Sequence, residues 1–308
     1  MQRIRARLST LRVGEPVVHR EVVLFPLYGE GVGGIPYVTM DEALRENCIA
    51  VTEATAQGSV PSLRVVNSGQ RPLLMVEGEE LIGAKQNRIL NASLLVPASS
   101  ELVVPVSCSE QGRWAETTHA CSSDSSSALS VRAAVHRSVS SSLRTTGRSR
   151  SDQGTVWAMI QRKLRKLGVS SSTGAMHALY AEYEKELAGY LERLAVPADA
   201  CGLAVAIGGA VRCVDVFDKP STLGCLRAKL LRSYAIEAMG QEPTGHPVPA
   251  SGEVSRLLAQ TAAGEWTRHD SPGLGEDWRF RADSAMGAAL VVDDEPIHVG
   301  VFATLNWG

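Results

Sequence analysis

Apolar residues between Glu21 and Cys108 come in short runs broken by Gly, Pro and Asn, at 22–27, 49–52, 63–66, 73–76, 94–96 and 102–106. Runs this short, bounded by turn residues, predict strands of a sheet or sandwich. One interruption is helical. In Thr39-Met-Asp-Glu42 the hydroxyl and the carboxylate can each satisfy the other residue's backbone N–H, a capping box that predicts a short helix through about Glu46. Asn67-Ser-Gly-Gln-Arg-Pro72 and Pro97-Ala-Ser-Ser100 hold residues that tolerate turn dihedrals, and each joins two strands.

The period then changes. Leu129, Ala133, His136, Val139 and Leu143 recur at three- and four-residue spacing inside a stretch, 122–152, dominated by Ser, Thr and Arg, which predicts a helix of small residues followed by a mobile loop. Val156, Trp157, Ile160, Leu164 and Leu167 form the stripe of a second helix, closed by Gly168. A third runs from about Ser172 to Leu194, with Met176, Leu179, Tyr180, Tyr183, Leu187, Tyr190, Leu191 and Leu194 inward. Strands return at 203–207 and 211–216 around Gly208-Gly209, a dipeptide suited to a hairpin. A long helix at 218–239 follows, then a Pro/Gly-rich connection at 241–251 and a short helix near 254–262. Strands at 278–280, 288–292 and 297–302 end the chain, the last two around Asp293-Asp-Glu-Pro296. The fold class is α+β: a β-rich N-terminal half, a helical middle, and a C-terminal strand–helix–strand part that completes the sheet. The parts are expected at 1–118, 119–195 and 196–308, the first and last packed as one compact unit. No fixed-period repeat argues for a solenoid or propeller.

A hydrophobic fraction of 44% in 308 residues provides for a full core. The formal net charge of −2 argues against a surface built to neutralise nucleic acid. The basic run Gln161-Arg-Lys163-Leu-Arg165-Lys166 is accordingly read as a solvated helix face. Six cysteines at long intervals, with no C-x-x-C pair and no secretory leader, read as reduced thiols of a cytoplasmic protein, and no apolar run is long enough to span a membrane.

Charge is concentrated where the apolar pattern least expects it. Glu77-Gly-Glu-Glu80-Leu-Ile-Gly83-Ala-Lys85-Gln86-Asn87-Arg88 sets carboxylates, an ammonium, amides and a guanidinium between two apolar runs, with Asn91 just beyond. Such a run breaks strand alternation and is either a solvated hairpin tip or the wall of a cleft. Gln, Asn and Arg together supply directional donors and acceptors for a planar or anionic ligand. Cys108-Ser-Glu110-Gln-Gly-Arg113-Trp114 adds a carboxylate, a guanidinium and an indole. Glu110, with Glu80, is the acid/base candidate, and Trp114 offers a stacking face. The plainer reading is a surface salt bridge beside a half-buried Trp. Cys108 lacks a partner base and reads as a small buried hydrophobe. His119 and Cys121 lack a recognised ligand spacing, so no metal is assigned, and the residues name no cofactor. Arg150, Asp152 and Gln153 precede the Trp157 helix and form either an anion cradle or a simple helix cap. Asp215 and Asp218, leading from a strand into a helix, stand where ligand-binding carboxylates often project. Gly29-Glu-Gly31-Val-Gly33-Gly34 fits no phosphate-loop or dinucleotide fingerprint.

The segments 77–88, 105–114 and Arg150-Ser-Asp-Gln-Gly-Thr-Val-Trp157, with Val214-Asp-Val-Phe-Asp218 and Leu231-Arg-Ser-Tyr-Ala235, resemble the "ARG and rhodanese-phosphatase-superfamily-associated" protein domain family (ARPP), where ARG denotes ADP-ribosylglycohydrolase. The resemblance implies a link to ADP-ribose or related nucleotide metabolism. The resulting expectation is an enzyme or ligand-binding protein for an ADP-ribose-like nucleotide. Lys85, Arg88 and Arg113 would hold phosphate, Gln86 and Asn87 would read ribose or base, and Glu110 would move a proton in phosphoester or glycosidic hydrolysis. The alternative is a non-catalytic module that senses a ligand or docks a partner protein, with a homo-oligomer also open.

Overall fold

The computed structural model describes residues 1–31, 34–241 and 245–304. The centre of the glycine-rich stretch at 32–33, part of the 241–251 connection at 242–244, and the last four residues lie outside the described ones. The fold is mixed α+β, as the apolar pattern predicts. By contacts the chain forms two units: residues 1–34, 186–270 and 275–308 make one, and 35–185 with 271–274 make the other.

The first unit is a nine-stranded antiparallel sheet. Strand Val22–Tyr28 pairs with Gly202–Ile207, which continues through Ala210–Phe217, Glu295–Ala303, Ala285–Val292 and Glu276–Arg281 to the edge strand Trp266–Asp270. The C-terminal strands thus complete a sheet begun near the N-terminus. Two hairpins follow from local chemistry. Gly208 and Gly209 take φ of 61° and 75°, and Asp293 and Asp294 take 49° and 63°, the double left-handed turn whose twist matches its strands. One face buries Phe25, Val214, Val216 and Val301 against Ile4 and Leu8 of helix Gln2–Ser9 and Val254 and Leu258 of helix Ser251–Ala263. Helix Pro220–Ala238 covers the opposite face, where its Tyr234 hydroxyl donates to Asp215 at 2.7 Å. Strands covered on both faces need no polar alternation, which is why 22–27, 203–207 and 211–216 read as apolar runs.

The second unit is sandwich-like. A five-stranded sheet (Ile49–Glu53, Ser62–Asn67, Ser100–Cys108, Arg88–Leu90, Glu80–Leu81) and a three-stranded one (Leu94–Val96, Leu73–Met75, Val38–Thr39) share a core containing Val51, Leu63, Met75, Leu94, Val104 and Val106. The two expected turns do join strands, but each carries the chain from one sheet to the other. Buried Asn67 fastens both, its Nδ2 donating to Arg71 O and Pro97 O at 2.9 Å each. The Thr39–Glu42 capping box is present and starts helix Met40–Arg45.

The helical middle comprises Leu129–Thr146, closed by Gly147 at φ 69°, Gln153–Lys166, and two shorter helices, His177–Glu182 and Glu184–Arg193. The single helix expected over 172–194 starts only at His177 and is broken at Tyr183, whose hydroxyl donates to Leu167 O at 2.8 Å. Leu191 is only half-buried, and Lys163, read as part of a solvated face, is buried. No helix among the described residues is long and apolar enough to cross a membrane.

Candidate functional site

Strand Arg88–Leu90 pairs with both Glu80–Leu81 and the end of Ser100–Cys108, so the register brings the polar runs 77–91 and 107–114 together. The run 77–91 is not a solvated tip, whereas 107–114 runs from buried residues 107–110 to exposed Gln111, Gly112 and Trp114. Glu80 and Arg88 are fully buried, and Gln86, Asn87 and Glu110 nearly so.

Arg113 and Glu110 form the centre. Arg113 Nε and Nη2 donate to Glu110 Oε2 at 2.9 and 2.6 Å, Nη2 reaches Asn87 Oδ1 at 3.0 Å, and Nη1 donates to Ala84 O at 2.7 Å and Ala115 O at 2.9 Å. Glu110 also accepts from Thr173 Oγ1 at 2.7 Å and Asn87 N–H at 3.1 Å. Burial pushes the Glu110 carboxyl up, but the hydrogen bonds from Arg113, Thr173 and Asn87 outweigh it and hold the group below its ordinary value. Three of these bonds converge on Oε2 and one falls on Oε1. Glu110 is therefore ionised at neutral pH, and its hydrogen bonds tie Arg113 to the 83–87 loop.

Glu80 is anchored by Ser109 Oγ at 2.8 Å and Ser125 Oγ at 2.9 Å, and its Oε2 lies 3.6 Å from Nδ1 of the half-buried His177. Close by in sequence, Glu77 meets the buried His136 at 2.9 Å. His177, Thr173 and Ser125 carry no signal in the sequence, and His136 reads there only as one position of a helix stripe. Ser125, Ser126, Ser127 and Ser130 of the serine-rich stretch are buried rather than exposed in a low-complexity linker.

Arg88 differs from Arg113. It donates through Nη1 to Gln86 Oε1 at 3.3 Å, and its Nη2 stands 3.9 Å from Glu53 Oε1, while Nε and Nη2 are buried without a hydrogen-bond partner among the described residues. Trp114, about half exposed, lies over both cations, its ring centre 5.7 Å from the Arg88 guanidinium and 5.8 Å from Lys85 Nζ. Glu53 accepts from Lys85 N–H at 3.0 Å and Ser59 N–H at 3.4 Å. Glu53 and Lys85 line a cavity of about 350 Å3 with Thr55, Arg64, Glu116 and His119. Glu53 ends a strand that reads as ordinary alternation, so nothing in its sequence neighbourhood announces this position.

The remaining candidates divide. Asn91 Nδ2 donates to Ser149 O at 3.1 Å and its Oδ1 accepts from Ser107 Oγ, pinning the loop that follows helix Leu129–Thr146. Gln153 bonds both backbone groups of Cys108, at 2.8 and 2.9 Å, and extends the strand like a ladder partner. Asp152 caps its helix by accepting from Thr155 N–H at 3.2 Å, and Arg150 is exposed. Burial pushes the Cys108 thiol up to about 11 and Cys121 up to about 12, so both are protonated at neutral pH. The six cysteines are free thiols, and no group of three or more His, Cys, Asp or Glu among the described residues is placed to hold a metal.

Fold and site together define an α+β protein with a buried polar network beside a charged cavity. The chain belongs to the ARPP-1 family, described as the ARG and Rhodanese-Phosphatase-superfamily-associated Protein domain, whose model matches residues 10–302. No curated protein and no solved structure matches it.

Proposed function

We propose that the unit formed around residues 35–185 binds a phosphorylated ribose or nucleotide of the ADP-ribose class in the cavity beside Glu53. The observation that carries this reading is the cavity wall itself. Arg64, Lys85 and His119 supply positive or donor groups for phosphate, Glu53 and Glu116 accept from sugar hydroxyls, and Trp114 beside Lys85 offers a face for a base. At about 350 Å3 the cavity falls at the small end of ligand sites, suited to a mononucleotide or a phosphosugar rather than a macromolecule. The family description, which includes ADP-ribosylglycohydrolase association, supports the same class. In this reading Arg113, Glu110, Asn87 and Gln86 shape the wall rather than touch the ligand. Thermal-shift titration with ADP-ribose, NAD and ribose 5-phosphate tests it, because a ligand that binds only the folded state raises Tm. A rise abolished by Lys85→Ala or Arg64→Ala is expected, and no shift across the panel rejects the reading.

A second reading, hydrolytic catalysis, is favoured by one observation outside the cavity lining: the buried Glu80 carboxylate lies 3.6 Å from the half-buried imidazole of His177, an arrangement able to relay a proton. It expects ADP-ribose turnover that His177→Ala and Glu80→Gln both abolish. Intact ligand after prolonged incubation with the unaltered protein leaves a binding module without catalysis.

A further inference from the structure

Three guanidinium groups of this protein can be compared edge by edge. Nε–H and Nη2–H point the same way and form the fork that grips an oxyanion with two parallel hydrogen bonds. In Arg279 that fork holds Asp277, Nε to Oδ1 at 2.7 Å and Nη2 to Oδ2 at 2.8 Å. In Arg113 it closes on Glu110. In Arg88, the one of the three with no exposed surface at all, the same two nitrogens have no hydrogen-bond partner, and the nearest carboxylate oxygen, on Glu53, stops at 3.9 Å.

We propose that the Glu53 carboxylate is the resident occupant of a built oxyanion site, and that a phosphate group of the ligand displaces it to engage the Arg88 fork. The donors converge from two sides. Lys85 N–H and Ser59 N–H hold Glu53 from the main chain, and Arg88 faces it from the interior. Glu53 lines the cavity and Arg88 does not, so Glu53 is the residue that meets both. The carboxylate is tethered to the end of strand Ile49–Glu53 and does not reach hydrogen-bond distance of the fork. A phosphate is untethered and has enough oxygens to take both fork hydrogens and a main-chain N–H at once. Gly58 brings the opposing chain close: a Cβ there would lie 2.9 Å from Trp114, 3.0 Å from Lys85 and 3.3 Å from Glu53. Desolvated positive charge with so weak a partner costs folding free energy, and an anion that binds there returns it.

The inference rests on the cavity reading for its ligand class, but the site is tested with inorganic phosphate alone. Full-length Glu53→Ala is expected to melt lower than the unaltered protein in phosphate-free buffer, and phosphate is expected to restore its Tm saturably, with an apparent affinity roughly tenfold tighter than that of the unaltered protein. Glu53→Gln, which keeps the side-chain volume, shows the same order of affinities by 31P NMR titration if the alanine variant folds poorly. Adding Arg88→Gln removes the response. Equal phosphate responses in the unaltered protein and both Glu53 variants, or a response that survives Arg88→Gln, overturns the proposal. Phosphate rescue without any ADP-ribose shift keeps the oxyanion site and rejects the ligand class. ADP-ribose binding that Glu53→Gln leaves unchanged, with no phosphate rescue, rejects the oxyanion site and leaves the ligand class standing.

Discussion

Arg113 and Arg88 each face one glutamate within the unit around residues 35–185, at 2.6 Å and 3.9 Å. Glu110 stands three residues before Arg113, so a single local turn sets their contact, and a ring of carbonyls from Gly83, Ala84 and Ala115 takes the remaining hydrogens. Glu53 reaches Arg88 from a separate strand and remains outside hydrogen-bond distance. The first pair is saturated and holds the chain in place. The second leaves donors in reserve beside a cavity, and the proposed oxyanion site rests on that difference.

The strongest way to break this comparison is Glu110→Ala. Removing the carboxylate leaves Arg113 Nε and Asn87 N–H without their acceptor, and an unfolding free energy lower by about 3–5 kcal/mol is expected in urea denaturation. Unlike Glu53→Ala, this variant gains no extra stability from phosphate. The sign with pH is fixed by the direction of the Glu110 shift. Its folded value lies below the ordinary 4.5, so its contribution is complete above that pH and is lost as pH falls through the lower folded value. The gap between variant and unaltered protein therefore narrows in acid. Gly83→Ala probes the same tie without removing charge. Gly83 sits at φ 126°, a Cβ there would lie 2.2 Å from Thr118 Oγ1, and its N–H and C=O serve Asn87 and Arg113. A loss of about 2 kcal/mol in the same measurement is expected. The smallest effect belongs to Asp152→Ala, about 1 kcal/mol from the lost cap, with the phosphate response of Glu53→Gln unaltered when the two are combined.

Local features were legible in the sequence where a few adjacent residues decide them. The Thr39–Glu42 capping box, the Gly208-Gly209 hairpin and the stripe of Val156, Ile160 and Leu164 each follow from spacing alone. So did the concentration of polar groups at 77–91 and 107–114. What the sequence hid is pairing at a distance. Apolar runs fix which face of a strand is buried, not which strand lies beside it, so neither the partnership of Val22–Tyr28 with Gly202–Ile207 nor the opposition of Glu53 and Arg88 had a signal. Buried serines misled for a related reason. A hydroxyl that pairs with an inward carboxylate has the same sequence composition as one that faces water, as Ser125 on Glu80 demonstrates.

Strand Val22–Tyr28 also has a consequence for how the chain is made. Its partner Gly202–Ile207 is encoded more than 170 residues later, after most of the other unit has been synthesised. At roughly 5–20 residues per second, a ribosome leaves this apolar strand without its neighbour for roughly 9–35 s. During that interval residues 35–185, which need only the short return segment 271–274 from later in the chain, can collapse around their own core. The nascent strand is then the segment most in need of a chaperone, and charge placed on its buried positions Leu24 or Phe25 would lower the yield of soluble protein through the waiting strand as well as through the finished sheet.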